Sequence, residues 1–261
     1  MHPRILAVVP AMREDVRKIL RSLLGQTVAP ERVIVAVGSR NLEKFLARNL
    51  PLEGWSRKVE VVYVRPDLKE HVGVRVAKAI NRALEQVNLH LYDYLLKVDA
   101  DVLMPHDYVE RCLSLGADLV GLGPFMLVRM KPFLRLLGGR WPEVPADDAY
   151  VAMRFRAAGL KVAPWPQRLP VSKTGGNWRY YYYRGFTDFE VGFDPLREAY
   201  AVALLVLRRR TLLPAFTLLG YFCALLSGAK MRDFGRINFS EGLKRSAKGI
   251  AGLLKRRSRS L

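Results

Sequence analysis

Two cysteines in 261 residues are too few to organise a fold. Cys112 lies in a helical pattern and Cys223 in an apolar run, so neither a disulfide framework nor a cysteine metal site is expected, as in a reducing compartment. Acid is the second scarcity: 24 Asp and Glu stand against 43 Lys and Arg, a formal net charge of +19. A surface so basic attracts polyanions, among them nucleic acid, anionic lipid headgroups and phosphorylated substrates. The start MHPRILAVVP has one Arg and then a short strand-like run, too brief for the apolar core of a secretory signal, so folded protein is expected from residue 1 onward. No repeat or low-complexity segment is visible before about residue 190. Half of the residues are hydrophobic, ample for a real core.

Apolar runs of strand length alternate with helical patterns. RILAVVPA, ERVIVAVGS, VEVVYV and YDYLLKVDAD read as buried strands, and ADLVGLGPFMLVRM as one more. Between them, Val16, Ile19, Leu20, Leu23 and Leu24 repeat at helical spacing, as do the apolar residues of VGVRVAKAINRALEQV. This alternation predicts an α/β fold with a mostly parallel central sheet covered on both faces, its ligands at the carboxyl edge of the strands. DDAYVAMRFRAAG is expected to be a later helix, with acids at its start and Gly159 at its end.

The stretch YLLKVDADVLMP ends an apolar strand in two carboxylates, Asp99 and Asp101, one residue apart. In an extended strand both would point to one face, where like charges repel and desolvation is costly, so something positive is expected between them. Hard oxygen donors suit Mg²⁺ or Mn²⁺, which take one or two carboxylates together with substrate phosphate oxygens and water. A bare Asp-x-Asp also arises by chance as a loop cap; its position after a buried strand argues for function. Asp147 and Asp148 suit a helix N-terminus by charge alone. Beside a metal–diphosphate site, one of them could instead serve as general base in a displacement.

In order and spacing these motifs resemble the family 2 glycosyltransferases, whose GT-A fold binds nucleotide-diphospho-sugars. The resemblance covers roughly residues 4–190: AVVPAMRE is similar to the family's first strand, VIVAVGS to its second, VAKAINRAL to the helix before the metal motif, and KVDADVLMP to that motif. DDAYVAMRFRAAG is similar to the acidic pair with its helix and Gly, and Arg154 holds the usual basic position. The family usually carries an acid pair before the Gly-Ser of its second strand; here those positions are Ala36 and Val37. The resemblance implies that Pro10, Met12 and Glu14 line the nucleotide pocket, with Glu14 towards the base or ribose. Lys78 would lie near the diphosphate, Asp99 by the ribose and metal, and Asp101 on the metal. Asp148 would be the catalytic base with Asp147 its neighbour. In PQRLPVSKTGGNWRYYYYRG, Arg168 and Lys173, with Trp178, Arg179 and Arg184, could close over a diphosphate or sugar.

Residues 191–261 differ in composition. AYAVALLVLRRRTLLPAFTLLGYFCALLSGAK holds two apolar runs parted by Arg208, Arg209 and Arg210. The second, Thr211 to Gly228, is about the shortest length that could span a bilayer, and Pro214 and Gly220 weaken that reading. Phe239, Leu243, Ala247, Ile250 and Leu254 repeat apolar residues among Lys244, Arg245, Lys248 and Lys255, which suits a helix half sunk among anionic headgroups. The expectation is thus a metal-dependent, inverting transferase in residues 1–190 and a membrane-association region in 191–261. It would hold Mg²⁺ or Mn²⁺ and pass a sugar from a nucleotide-diphospho-sugar to a lipid-linked or saccharide acceptor at the cytoplasmic face of the cell membrane. No nucleic acid is expected, because the basic residues concentrate after an apolar run. The rival readings are a nucleic-acid-binding protein and an inactive GT-A relative acting as a membrane scaffold.

Overall fold

The computed structural model describes residues 3–12, 14–167, 169, 177–231, 235–236, 239–240, 242–243 and 246. The chain divides into two compact units, Met1–Lys173 and Thr174–Leu261.

The first unit runs β1 (Ile5–Ala11), α1 (Arg17–Leu24), β2 (Arg32–Val37), α2 (Arg40–Asn49), β3 (Val59–Tyr63), α3 (Val72–Leu84), β4 (Tyr94–Val98), α4 (Tyr108–Ser114), β5 (Leu119–Leu122), β6 (Phe125–Arg129), α5 (Met130–Leu137), α6 (Asp147–Ala157) and β7 (Val162–Ala163). The seven strands form one sheet in the order β3-β2-β1-β4-β6-β5-β7. β1 to β4 pair parallel with one another, and β6 runs antiparallel to both β4 and β5. Period two divides β1 between the faces: Ile5, Ala7 and Val9 pack with Leu20 and Leu23 of α1, while Leu6 and Val8 pack with Ala77, Ile80 and Ala83 of α3. Both faces are therefore covered, which is why these strands read as continuous apolar runs.

The order reverses beside β1: β2 and β3 lie on one side and β4 on the other. Doubly wound sheets open their ligand crevice at such a point. β1 and β4 pair only as far as Val8 and Lys97. Beyond that pair comes Pro10, whose missing N–H points to the β4 side, since Ile5 and Ala11 offer their carbonyls on the β2 side. A proline in a central strand is tolerated here because no ladder bond remains to be lost.

ADLVGLGPFMLVRM, expected to be one strand, is two: β5 and β6 form a hairpin. Gly121 and Gly123 both have positive φ, 90° and 74°, so the run of apolar residues folds back where only glycine turns without strain. A Cβ on Gly121 would run into the Phe125 carbonyl and the Trp165 indole, which donates to that carbonyl at 3.2 Å.

The second unit contains α7 (Trp178–Glu190), α8 (Pro195–Arg209) and α9 (Ala215–Leu226). α7 and α9 cross at Gly185 and Gly220, each pressed against the other helix's backbone so that neither site has room for a Cβ. Asp194 caps α8, accepting from the Arg197 N–H at 2.9 Å. Among the described residues no helix is long and apolar enough to cross a membrane, and α9 has 12 residues, so the spanning alternative for Thr211–Gly228 is not realised. Most of Phe239–Leu254 lies outside the described residues.

Gly121→Ala is expected to lower stability by more than about 1 kcal/mol, from the positive φ and the clash together. Urea unfolding followed by circular dichroism checks this; an unchanged midpoint would contradict it.

Candidate active site

β4 ends at Val98, and the chain turns at once: the Val102 N–H donates to the Asp99 carbonyl at 3.2 Å. Asp99 and Asp101 therefore sit on a turn beyond the strand rather than within it. The Asp99 N–H donates to the Pro124 carbonyl at 2.8 Å, tying this turn to the β5–β6 hairpin.

The positive group is Lys97, two residues before Asp99 in β4. Its side chain is 5% exposed, and its Nζ lies 2.6 Å from Asp99 Oδ1 and donates to the Gly123 carbonyl at 2.7 Å. Burial pulls the ammonium towards neutrality, but Asp99, Asp147 and Asp148 outweigh it and hold Lys97 above its ordinary pKa. The lysine thus stays charged, electrostatically linked to the turn aspartate and to both aspartates of α6. Asp101 is raised first by burial, then by Asp99 and Glu14.

The two aspartates of α6 have different surroundings. Asp147 is buried, accepts from the Trp141 indole N–H at 2.6 Å, and has its carboxyl pushed up to about 6, chiefly by burial. Trp141 is held in turn by Asn81 of α3, whose amide donates to the Trp141 carbonyl at 2.9 Å and accepts from its N–H at 2.6 Å. Asp148 is only half-buried and lies against the hairpin: a Cβ on Gly123 would stand 3.5 Å from its Oδ2. Before the pair, Ala146 has φ 52°, a left-handed conformation that costs a non-glycine residue about 1–3 kcal/mol and that occurs often at functional sites. α3 begins beside Asp147, where a Cβ on Gly73 would meet Asp147 Oδ1 at 3.2 Å.

The structure therefore brings Asp99, Asp101, Asp147 and Asp148 to one edge of the sheet, around Lys97. Glu14 is exposed, its Oε2 accepting from the Met12 N–H at 2.6 Å, and it lies close enough to influence Asp101. Met12 packs on Gly38, where a Cβ would meet its Sδ at 2.7 Å, and Pro10 is buried opposite Ala36. Ala36 and Val37 are fully buried core residues. Lys78, expected near a diphosphate, is paired with Glu70. Arg168 and Lys173 lie outside the described residues.

Lys97 and the Asn81–Trp141 support escaped the sequence reading. A lysine inside the apolar run YLLKV was the available signal, because lysine is almost never fully buried unless paired.

Among the described residues no group of three or more His, Cys, Asp or Glu forms a metal cluster. A divalent cation nevertheless fits the donor chemistry. The repulsion among Asp99, Asp101 and Glu14 is what it would relieve, and one or two carboxylates with phosphate oxygens and water are its usual donors. Asp101 and the second oxygen of Asp99 are the candidate ligands, since Asp99 Oδ1 is paired with Lys97.

No family model and no curated protein matches the chain. Among solved structures it is similar to TarS of S. aureus, at 12% identity over 72% of this chain and 39% of that one, with a TM-score of 0.49. Residues 1–349 of TarS in complex with UDP match at 14% identity over 64% and 59%, with a TM-score of 0.48. The glycosyltransferase GlyE of Streptococcus pneumoniae TIGR4 matches at 14% identity over 63% and 45%, with a TM-score of 0.40. The chain spans between 39% and 59% of these structures' own length. Scores of this size carry no conclusion about what the chain does.

Asp147 keeps its proton in the folded chain up to about pH 6, against 3.8 for a free carboxyl. A raised carboxyl binds more protons folded than unfolded, so its contribution to stability grows as pH falls through this window and is lowest above it. Asp147→Asn is expected to flatten that rise and to exceed the wild type above the window by about 1–3 kcal/mol, read from urea unfolding across pH. A less stable variant at alkaline pH would instead mean that the Asp147 charge is required beside Lys97.

Proposed function

We propose that this chain is an inverting glycosyltransferase that moves a sugar from a nucleotide-diphospho-sugar onto an acceptor hydroxyl. The observation that carries this reading is the meeting of two acid pairs, Asp99 with Asp101 and Asp147 with Asp148, around the buried Lys97 at the β1–β4 switch point. One pair suits a metal-bound diphosphate and the other a reacting hydroxyl. The order of motifs, which resembles that of the family 2 glycosyltransferases, supports the same reading.

Mg²⁺ or Mn²⁺, held by Asp101 and the second oxygen of Asp99, would neutralise charge on the leaving diphosphate. Asp148, half-buried and beside the hairpin, takes the acceptor's proton as its oxygen attacks the anomeric carbon. Asp147 acts from beneath: held by Trp141, it fixes the start of α6 and so the aim of Asp148. Lys97 keeps Asp99 in place while the site is empty. Pro10, Met12 and Glu14 border the crevice on the β1 side, suited to the nucleotide, although the acid pair usual at the end of the second strand is absent.

Asp148→Asn is expected to lower kcat by roughly 10²–10⁴ with little change in donor affinity, and Asp147→Asn to do less. Calorimetry with UDP- and GDP-sugars in the presence of Mn²⁺, followed by turnover with the donor that binds, checks both. Absence of any donor binding would favour the scaffold reading; the reverse ranking of the two variants would make Asp147 the base.

We propose further that the second unit attaches to the cytoplasmic face of the membrane, near a lipid-linked acceptor. Leu219, Phe222 and Leu226 are exposed along α9 at helical spacing, and Arg208 and Arg210 are exposed at the end of α8. Apolar residues flanked by cations suit an anionic interface. Replacing Phe222 and Leu226 by Glu together is expected to abolish co-sedimentation with anionic vesicles. A wild type that ignores both anionic and neutral vesicles would remove the membrane from this proposal.

A further inference from the structure

The feature that the proposed chemistry leaves unexplained is a permanent cation built into a candidate cation site. Lys97 cannot swing away: it is the penultimate residue of β4, paired with β1 on one side and β6 on the other, with its side chain 5% exposed. Its Nζ is fixed by two short contacts, to Asp99 Oδ1 and to the Gly123 carbonyl. The carbonyl is that of Gly123 in the turn between β5 and β6, and both it and Gly121 of β5 have positive φ, so the seat belongs to the fold. The fixed charge is linked to Asp99, Asp147 and Asp148 at once.

Such a charge has two consequences for a divalent cation. It occupies one of the few carboxylate oxygens on offer, and it repels a second cation a few ångströms away in a partly desolvated crevice. A nucleotide diphosphate reverses the balance, because it brings negative charge and phosphate oxygens of its own.

We propose that Lys97 is an internal counter-ion that keeps the empty site from holding a divalent cation, so that the ion enters together with the nucleotide's diphosphate. This inference rests on the reading of Asp99 and Asp101 as the cation-binding pair. Lys97 is then a positioning residue. It touches neither sugar nor acceptor, yet it sets the order in which the site fills.

The test uses the full-length chain and Mn²⁺ alone, with free Mn²⁺ followed by electron paramagnetic resonance, and then Mn²⁺ with UDP or GDP. Lys97→Gln is expected to bind Mn²⁺ without nucleotide at least about tenfold tighter than the wild type, since the repulsion is gone and an Asp99 oxygen is released. Lys97→Arg, which retains the charge, should stay with the wild type. Adding nucleotide should tighten Mn²⁺ binding much more in the wild type than in Lys97→Gln. Equal or weaker Mn²⁺ binding by a folded Lys97→Gln, including no binding by either protein, overturns the proposal. Should that variant fail to fold, the wild type decides alone: Mn²⁺ held as tightly without nucleotide as with it overturns the proposal, and a marked gain on adding nucleotide upholds it. Failure of the donor reading looks different. It is a wild type that binds neither nucleotide nor nucleotide-sugar, while Mn²⁺ alone still separates Lys97→Gln from the wild type.

Discussion

A charged ammonium buried near the carboxyl end of a central strand is the constraint around which this sheet edge is arranged. Taking such an ion out of water costs several kcal/mol, repaid only where opposite charge and hydrogen-bond acceptors are already in place. Lys97 has Asp99 on the turn after its own strand and the Gly123 carbonyl on the hairpin beyond the neighbouring strand. The hairpin can present that carbonyl because Gly121 and Gly123 accept positive φ. The turn, the hairpin and the start of α6 come from segments far apart in sequence, and they meet at this one cation. Removing the Asp99 carboxylate would leave the buried ammonium short of compensating charge.

Much of the frame was legible in the residues. Continuous apolar runs in β1, β2 and β4 and the helical spacing of Leu20, Leu23, Ala77 and Ile80 follow directly from strands buried on both faces and from helices that cover them. The aspartates were legible too, being acids at the end of an apolar run and at the start of a helix. What escaped was of two kinds. ADLVGLGPFMLVRM reads as one strand because apolar content cannot distinguish a buried strand from a buried hairpin; only its glycines signal that the chain folds back. Lys97 and the Asn81–Trp141 pair escaped because their meaning depends on contacts across 26 and 60 residues of chain, which no local periodicity encodes.

The second unit shows the same limit from another side. Its composition suggested apolar helices beside basic residues, yet its interior is partly ionic. Burial pushes the Asp188 carboxyl up to about 7 and raises Glu198, with Arg184 lying 3.4 Å from Asp188. The close crossing of α7 over α9 at Gly185 and Gly220 is equally hidden in the sequence, where each glycine looks like a helix breaker. In the folded unit they are what allows two backbones to touch. What separates α9 from a span is its length: 12 residues rise about 18 Å, short of the roughly 30 Å of a bilayer's hydrocarbon core.

The difference between Asp147 and Asp148 shows how adjacent identical residues come to have separate chemistry. Successive side chains on a helix diverge by roughly a quarter turn, so one aspartate of α6 faces inward while the next faces the hairpin. The inner one meets an indole N–H and a buried ammonium, and desolvation raises its carboxyl to about 6. The outer one, only half-buried beside Gly123, retains access to solvent and to whatever enters the crevice. Environments this different are how two neighbouring carboxyls come to suit different tasks, as the proposed roles of Asp147 and Asp148 require. The left-handed Ala146 precedes them at the helix start, and a shift of one residue would move one aspartate into the other's place and bring an alanine into the position it left. A non-glycine residue holds this strained conformation only where its surroundings over-determine it, so the start of α6, and with it the orientation of the pair, is fixed by the packing around Ala146.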